Sequence, residues 1–227
     1  MAWFTRHYPH WPRGVPKSLT IPRTSVYFNL EVSAKRYPDK TFINYYESCL
    51  SFTQVKRQVD ALAGFLQQRL GVARGDRVLL DFQNSPQFVI GFYAILRADA
   101  VAVPVNPMRR TEELRHYLED AGAKVALAGQ EVWAQFEPLL GASVLARCVL
   151  GTYSEYITAP TPVPVPEIVR AARAVPAREW VTAWMDAIGQ QIEPAPPLAG
   201  FDDLAVMPYT SGTTGRPKGC MHTHGSV

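Results

Sequence analysis

The sequence predicts an α/β fold in which a parallel-rich sheet carries helices on both faces. Between residues 77 and 150, short apolar and β-branched runs alternate with segments of helical periodicity. Strands that are joined by helical crossovers pair in parallel, and the helices then cover the faces of the sheet. The composition agrees, because 47% hydrophobic and 19% charged residues in a chain of 227 are globular values, which exclude a disordered chain.

Three elements are expected before this alternation begins. A short helix is predicted over 25–34. Aromatic and β-branched residues over 41–46 and 49–52 then predict a hairpin with a turn at Glu47-Ser48. The third element, a longer helix, has the clearest pattern of the three.

That helix follows residue 51 directly. Ser51 and Gln54 have the spacing of a capping box, in which each side chain bonds the other's backbone amide. Apolar residues recur every three or four positions over 55–70, which is the period of one helix face. Gly71 is expected to end the helix, because glycine accepts the left-handed conformation of a C-terminal cap.

The alternating region continues with strands and capped helices in a βαβαβ order. Polar cap residues, Pro at a first helical position and Gly at a helix end mark the boundaries. The predicted elements are a strand over 77–82, a helix from Pro86 capped by Ser85, a strand over 101–105, a helix from Glu112 capped by Thr111 and ended by Gly122, a strand over 125–128, a helix over 132–140 and a strand over 144–150.

Residues 151–200 differ from the rest of the chain because they are rich in proline. Prolines alternate with small residues over 160–166 and cluster again over 194–197, with a helix expected over 178–188. The prolines could bind a partner domain that recognises polyproline II helices, but an internal spacer is the simpler interpretation.

Charge, cysteines and hydropathy exclude several classes of protein. The net charge is +3 without a basic cluster, which disfavours binding to nucleic acid. Cys49, Cys148 and Cys220 are odd in number and widely spaced, which argues against a disulfide framework and against a zinc site. The longest apolar run, 88–96, is about half of what a transmembrane helix needs, and the N-terminus lacks the apolar core of a signal peptide. These observations predict a cytoplasmic protein.

The segment with the clearest chemistry follows an apolar strand over 204–209. Its small residues leave backbone amides uncovered, its glycines allow positive φ, and its hydroxyls add hydrogen-bond donors, as an anion-binding loop requires. A lysine at its end supplies positive charge for phosphate oxygens. The segment reads Thr210-Ser211-Gly212-Thr213-Thr214-Gly215-Arg216-Pro217-Lys218-Gly219.

Composition leaves two interpretations of this loop open. A polyphosphate site and a structural turn are about equally supported, and a flexible linker is disfavoured because apolar segments flank the loop. The loop is not the nucleotide-binding P-loop in which Lys follows Gly directly, because Arg216 and Pro217 intervene.

The loop resembles the signature of the acyl-adenylate-forming superfamily of AMP-binding synthetases and ligases. The resemblance extends over most of the chain and is carried by five segments: Tyr37-Pro38-Asp39-Lys40, Leu50-Ser51-Phe52, Gly75-Asp76-Arg77-Val78, 96–107, and 209–219 followed by Thr223-His224. Acyl-CoA synthetases, and among them medium- and long-chain fatty acid enzymes, fit best. Where relatives usually have Gly, this chain has Asp99, which concerns a local turn rather than the function.

The resemblance implies a two-step reaction with ATP, Mg²⁺ and CoA. A carboxylic acid forms acyl-AMP and pyrophosphate, and CoA then displaces AMP to give a thioester. The loop residues that match the family's phosphate-holding positions are Thr210, Ser211, Gly212, Thr213, Thr214, Gly215 and Lys218. Lys218 and His224 are the expected catalytic residues, with His224 near the acyl carboxylate and packing as its alternative role. No metal ligands are assigned in this chain, since His222 and His224 lack a further ligand nearby.

The resemblance also suggests how the chain is divided. We expect an N-terminal arm over 1–24, an α/β subdomain over 25–150, a connecting excursion over 151–200, and the strand and phosphate loop that begin the next subdomain over 201–227. The family's adenine-binding, magnesium-binding and C-terminal catalytic regions have no counterpart here, so we expect this chain to be inactive by itself and capable of self-association. The alternatives are a non-catalytic nucleotide- or protein-binding module, an aryl-acid:CoA ligase and an acyl-AMP ligase.

Overall fold

The computed structural model describes residues 5–18, 20–141, 144–210 and 215–227, and it has the predicted α/β architecture. Its α-helices are α1 (Val26–Arg36), α2 (Phe52–Gln68), α3 (Pro86–Arg97), α4 (Thr111–Ala121), α5 (Trp133–Phe136), α6 (Glu167–Arg170) and α7 (Trp184–Gly189). Its strands are β1 (Thr41–Tyr45), β2 (Ser48–Ser51), β3 (Arg77–Asp81), β4 (Val101–Pro104), β5 (Val125–Gly129), β6 (Arg147–Gly151), β7 (Val181–Ala183), β8 (Leu204–Val206), β9 (Tyr209–Thr210), β10 (Lys218–Gly219) and β11 (His222–Thr223).

A mostly parallel sheet forms the centre of the molecule. The described residues contribute seven strands in the order β11-β8-β4-β3-β5-β6-β7, and only β11 pairs with its neighbour in an antiparallel sense. Both faces are covered. Val78 and Leu80 of β3 join the core cluster that contains residues of α2 and α3, whereas Leu79 joins the cluster that contains residues of α4 and α5. This alternation along one strand confirms the prediction of helices on both faces.

The predicted caps set most helix boundaries. Ser51 Oγ accepts from the Gln54 amide at 3.3 Å, and Gln54 Oε1 accepts from the Ser51 amide at 2.8 Å, so the capping box is confirmed. Ser85 likewise caps α3, and Gly122 ends α4 in the left-handed conformation with φ 66°. Helix α2 ends at Gln68, three residues before Gly71, and Gly71 has the left-handed conformation expected of it, with φ 69°.

Two local predictions were wrong by one residue. The hairpin turn is formed by Tyr46 and Glu47, both with positive φ, while Ser48 already belongs to β2. Thr111 is the first residue of α4 rather than its cap, because its hydroxyl bonds Gln135 Oε1 at 2.9 Å instead of a backbone amide of the helix.

The proline-rich segment takes part in the sheet. Residues 181–183 form β7, which pairs in parallel with β6, and α7 then buries Trp184 completely. The helix expected over 178–188 is therefore wrong in its first half. Pairing with β6, where the Cys148 amide bonds Trp180 O at 2.9 Å, outweighs the helical spacing of the tryptophans. The division into four regions stays a prediction.

Asp99 lies in the left-handed conformation that its usual glycine counterpart would favour. Its φ is 59°, and its carboxylate accepts hydrogen bonds from the amides of Leu198 and Ala199 at 2.8–3.0 Å. These bonds fix the end of the proline-rich segment beside the start of β4, and they offset the backbone strain of a side chain at positive φ.

Candidate phosphate-binding site

The loop predicted to bind phosphate is closed by a small hairpin separate from the main sheet. Strands β9 and β10 pair in an antiparallel sense, Lys218 with Thr210 and Gly219 with Tyr209. The predicted strand over 204–209 is thus split into β8 and β9. Pro208 lies between them and lacks the amide that a sheet ladder would need. A second sheet region at the phosphate loop, as expected from the sequence, is present.

Of the predicted loop residues, Thr210, Gly215 and Lys218 can be located. Lys218 is exposed, and within the described part of the chain its ammonium group has no hydrogen-bond or ion-pair partner. Gly215 has φ 156°, a backbone conformation that residues with a Cβ rarely adopt. Ser211, Gly212, Thr213 and Thr214 lie outside the described residues, so their predicted roles stay predictions.

Close packing brings the two strands of the hairpin together. A Cβ added to Gly219 would lie 2.9 Å from Met207 Cγ and 3.3 Å from Tyr209 Cζ, so the side chains before the loop pack directly on the backbone after it. The Cys220 amide also donates to Pro208 O at 2.8 Å. The spacing of the loop's two ends is fixed by these contacts.

Helix α4 contacts both ends of the loop, which the sequence did not reveal. The Tyr209 hydroxyl donates to Asp120 Oδ2 at 2.6 Å, and His116 Nε2 lies 3.0 Å from Pro217 O. Burial and the nearby Asp120 carboxylate raise the pKa of Tyr209, which therefore stays protonated and can donate. The i, i+4 spacing of His116 and Asp120 was a signal that they share one helix face, but not of what that face contacts.

His224 lies apart from Lys218, beside β11 in the main sheet. It is 5% exposed, and its Nδ1 accepts a hydrogen bond from the Val26 amide at the start of α1 at 3.1 Å. Burial lowers the pKa of His224, so the ring is neutral and Nε2 carries the proton. Nε2 is buried without a partner among the described residues. The bond at Nδ1 agrees with the packing role that is the alternative for His224. Nε2 remains a donor without a partner in the described part of the chain.

A second polar cluster, which was not predicted from the sequence, lies at the carboxyl ends of β3, β5 and β6. Asp81 is 1% exposed, and burial together with the nearby Glu131 raises its pKa to about 7. The Tyr153 hydroxyl donates to Glu131 Oε1 at 2.6 Å and accepts from the Gln83 amide at 2.9 Å. One oxygen of each carboxylate is buried and has no partner in the described part of the chain.

Neither a metal-binding cluster nor a membrane-spanning helix occurs among the described residues. Across 5–18, 20–141, 144–210 and 215–227, no three His, Cys, Asp or Glu side chains are grouped so that they could hold a metal ion. No helix within these ranges is both long enough and apolar enough to cross a bilayer.

The family model described as "AMP-binding enzyme" matches residues 30–227. The chain belongs to the AMP-binding enzyme family. This finding confirms the resemblance that was based on the loop and the segments before it.

Individual members of the AMP-binding family are similar over most of the chain. A long-chain-fatty-acid–CoA ligase of Bacillus subtilis is 29% identical over 96% of this chain and 40% of its own length. The ligase FadD13 of Mycobacterium tuberculosis is 37% identical over 70% of this chain and 26% of its own. The solved anthranilate CoA ligase AuaEII, in complex with anthranoyl-AMP, has TM-score 0.73 and 25% identity over 91% of this chain and 36% of its own. This chain therefore spans less than half the length of these relatives.

Proposed function

We propose that this chain is the N-terminal region of an AMP-forming acid:CoA ligase. Such an enzyme activates a carboxylic acid with ATP and then transfers the acyl group to CoA. The observation that carries the proposal is the Thr, Ser and Gly loop between β9 and β10, which ends at Lys218 in a member of the AMP-binding family.

The chemistry of the first step suits a site of this kind. A carboxylate oxygen of the acid attacks the α-phosphorus of ATP, the bond to the β-phosphate breaks, and pyrophosphate leaves. The carboxylate is already a nucleophile, so the site needs no general base. It needs groups that position the phosphates and neutralise the charge that develops on them.

Each proposed loop residue has a part in that step. Lys218 is exposed, and its ammonium group would stabilise the charge on the β- and γ-phosphates and on the leaving pyrophosphate. Thr210, Gly215 and the residues from Ser211 to Thr214 would hold the same phosphates through hydroxyls and backbone amides.

His224 would act as a neutral hydrogen-bond donor. Its Nδ1 is occupied by the Val26 amide, so only the Nε2 proton remains for a ligand. That donor would bind an oxygen of the acid's carboxylate, which is the role that the resemblance implies for His224. Because the ring is neutral, it would orient the acid without adding a positive charge.

Mg²⁺ enters the proposal as the ion that accompanies ATP. The described residues do not group three acidic or imidazole ligands around one position, so none of them is proposed as a ligand of the ion. In the second step the CoA thiol displaces AMP from the acyl carbonyl and forms the thioester.

The proposed substrate is a medium- or long-chain fatty acid. The names of the Bacillus and Mycobacterium relatives support this class. An aryl acid is the second candidate, supported by the similarity to the anthranilate ligase. We further propose that the protein is cytoplasmic, that its partners are small molecules rather than nucleic acid, that it can self-associate, and that this chain by itself does not form acyl-AMP at a useful rate.

The test is release of pyrophosphate by the protein expressed to its natural stop codon, with ATP, Mg²⁺, CoA and a panel of fatty and aryl acids. Acid-dependent release is expected, and Lys218→Ala is expected to lower kcat by about 10²–10³, the usual effect of removing one charge-stabilising group. Lys35→Ala, which removes an exposed lysine that pairs with Glu31 on α1, is the matched control and should not change the rate. Absence of release with every acid from folded protein would favour a non-catalytic binding module.

A further inference from the structure

We infer that helix α4 positions the phosphate loop, with Asp120 and His116 as positioning residues that hold the two ends of the loop at a fixed distance from the main sheet. The inference rests on the proposed function only for its consequence, which is the affinity for ATP. Its structural part, that α4 holds the hairpin, stands on the contacts alone.

The first contact holds the strand that enters the loop. Tyr209 donates its hydroxyl hydrogen to Asp120 Oδ2 at 2.6 Å, a charge-assisted hydrogen bond. Its ring also lies 4.5 Å from the ring of Tyr117, centroid to centroid. Tyr209 is therefore held at both its polar and its apolar parts by residues of α4.

The second contact holds the strand that leaves the loop. His116 Nε2 lies 3.0 Å from Pro217 O, and a carbonyl oxygen only accepts, so Nε2 carries the hydrogen. Pro217 immediately precedes Lys218. A shift of this carbonyl would therefore move the backbone that carries the proposed phosphate-binding ammonium group.

Helix α4 is itself fixed to the core. Leu114 and Leu118 lie on it one turn apart, are 0% and 1% exposed, and belong to the cluster that includes Leu79 of β3. Because α4 is packed on the sheet and also bonded to the hairpin, it holds the hairpin in a fixed position relative to the sheet.

The hairpin needs such support. Strands β9 and β10 have only two residues each, and an isolated two-stranded ribbon is marginally stable in water. Both strands of the hairpin are linked directly to the main sheet. The Met207 amide before β9 donates to Ala102 O of β4 at 2.8 Å, and β10 continues through two residues into β11. Both links lie at the end of the hairpin away from the loop, whereas the bond from His116 holds Pro217 at the loop itself.

The test uses three disrupting variants, one matched control and one conservative rescue. Tyr209→Phe and Asp120→Ala each remove the first contact, and His116→Ala removes the second. Tyr27→Phe is the control, because the Tyr27 hydroxyl makes the same kind of bond to Asp60, at 2.9 Å, between α1 and α2 and away from the loop. His116→Gln is the conservative rescue, since its amide can still donate.

The first readout is amide hydrogen exchange in the chain without ATP. The Cys220 amide, bonded to Pro208 O across the hairpin, reports on the hairpin, and the Met207 amide is the internal reference. We expect Cys220 to exchange about threefold to tenfold faster in the three variants, the effect of one net hydrogen bond. The control should not change it. Unchanged exchange at Cys220 would overturn the inference.

The second readout is steady-state kinetics of the protein expressed to its stop codon. The KM for ATP is expected to rise about threefold to tenfold in the three variants with the KM for the acid unchanged, and His116→Gln should restore most of it. Faster exchange with an unchanged KM for ATP would refute the role in positioning. If the unsubstituted protein shows no activity while exchange responds as expected, the proposed ligase function fails and the support of the hairpin by α4 stands.

Discussion

At the scale of single residues, Asp81 shows how a buried side chain departs from its ordinary chemistry. It ends β3 between apolar neighbours, 1% exposed, and the nearby carboxylate of Glu131 adds repulsion between like charges. Both effects disfavour the charged form and raise the pKa of Asp81 to about 7. The sequence shows only an acidic residue after an apolar strand, because burial and the distance to Glu131 depend on the fold.

This shift makes the free energy of unfolding depend on pH. The carboxyl binds its proton more tightly in the folded chain than in the unfolded chain, so its stabilising effect is complete below about pH 4 and is lost as the pH rises through about 7. In Asp81→Asn the neutral amide removes this loss. Relative to the unsubstituted chain, the free energy of unfolding of the variant should rise by about 2–3 kcal/mol between pH 5 and pH 8. The size follows because one pH unit between the two pKa values corresponds to about 1.4 kcal/mol.

Urea unfolding of both proteins at the two pH values measures this gain. The exposed and salt-bridged Asp202 provides the control, because Asp202→Asn removes a carboxylate without burial and keeps Asp81. Its free energy of unfolding should therefore follow that of the unsubstituted chain at both pH values. Parallel pH profiles for Asp81→Asn and the unsubstituted chain would show that Asp81 titrates normally.

At the scale of elements, local sequence signals placed most helices and strands, and tertiary pairing changed the rest. The capping box of α2 and the cap of α3 depend on residues three positions apart, so they could be predicted from the sequence. Strand β7 could not, because its pairing with β6 joins residues more than thirty positions apart and is invisible in the local pattern.

The capping box at the start of α2 is expected to contribute measurably to the free energy of unfolding. Replacing Ser51 by Ala removes the acceptor for the Gln54 amide and should lower the free energy of unfolding by about 1 kcal/mol. Thr53→Ala, two residues further and exposed, keeps the cap and improves helix propensity, so it should leave stability unchanged or slightly higher. Thermal unfolding of the two variants separates the cap from general effects at the helix start. Equal stability of both would contradict the assignment.

At the scale of the whole molecule, distant parts of the chain share one sheet. Strands β7 and β8, which flank the second proline cluster, lie near opposite edges of the sheet, and the central strands β4, β3 and β5 come from residues 77–129. Trp184 joins these parts. It is 0% exposed, and its Nε1 donates to the Tyr156 hydroxyl at 2.9 Å.

Trp184→Ala should therefore destabilise the whole described fold and not only the proline-rich segment. A loss of about 3–5 kcal/mol is expected for a buried tryptophan. Unfolding followed by circular dichroism and by tyrosine fluorescence should shift together to lower urea. Trp180→Ala, which removes a tryptophan that is 40% exposed, should cost much less. A shift in one probe alone would mean that the proline-rich segment unfolds independently.

The order and type of most elements, the α/β fold and the loop that marks the AMP-binding family could all be predicted from the sequence. These depend on residue periodicity, caps and a contiguous motif, all of which are local. Three features became visible only in the fold: α4 contacts both ends of the loop, His224 bonds the start of α1, and Asp81 is buried beside Glu131. Each of these joins residues far apart in the chain, and their energies depend on distance and burial, which only the folded arrangement of the chain fixes.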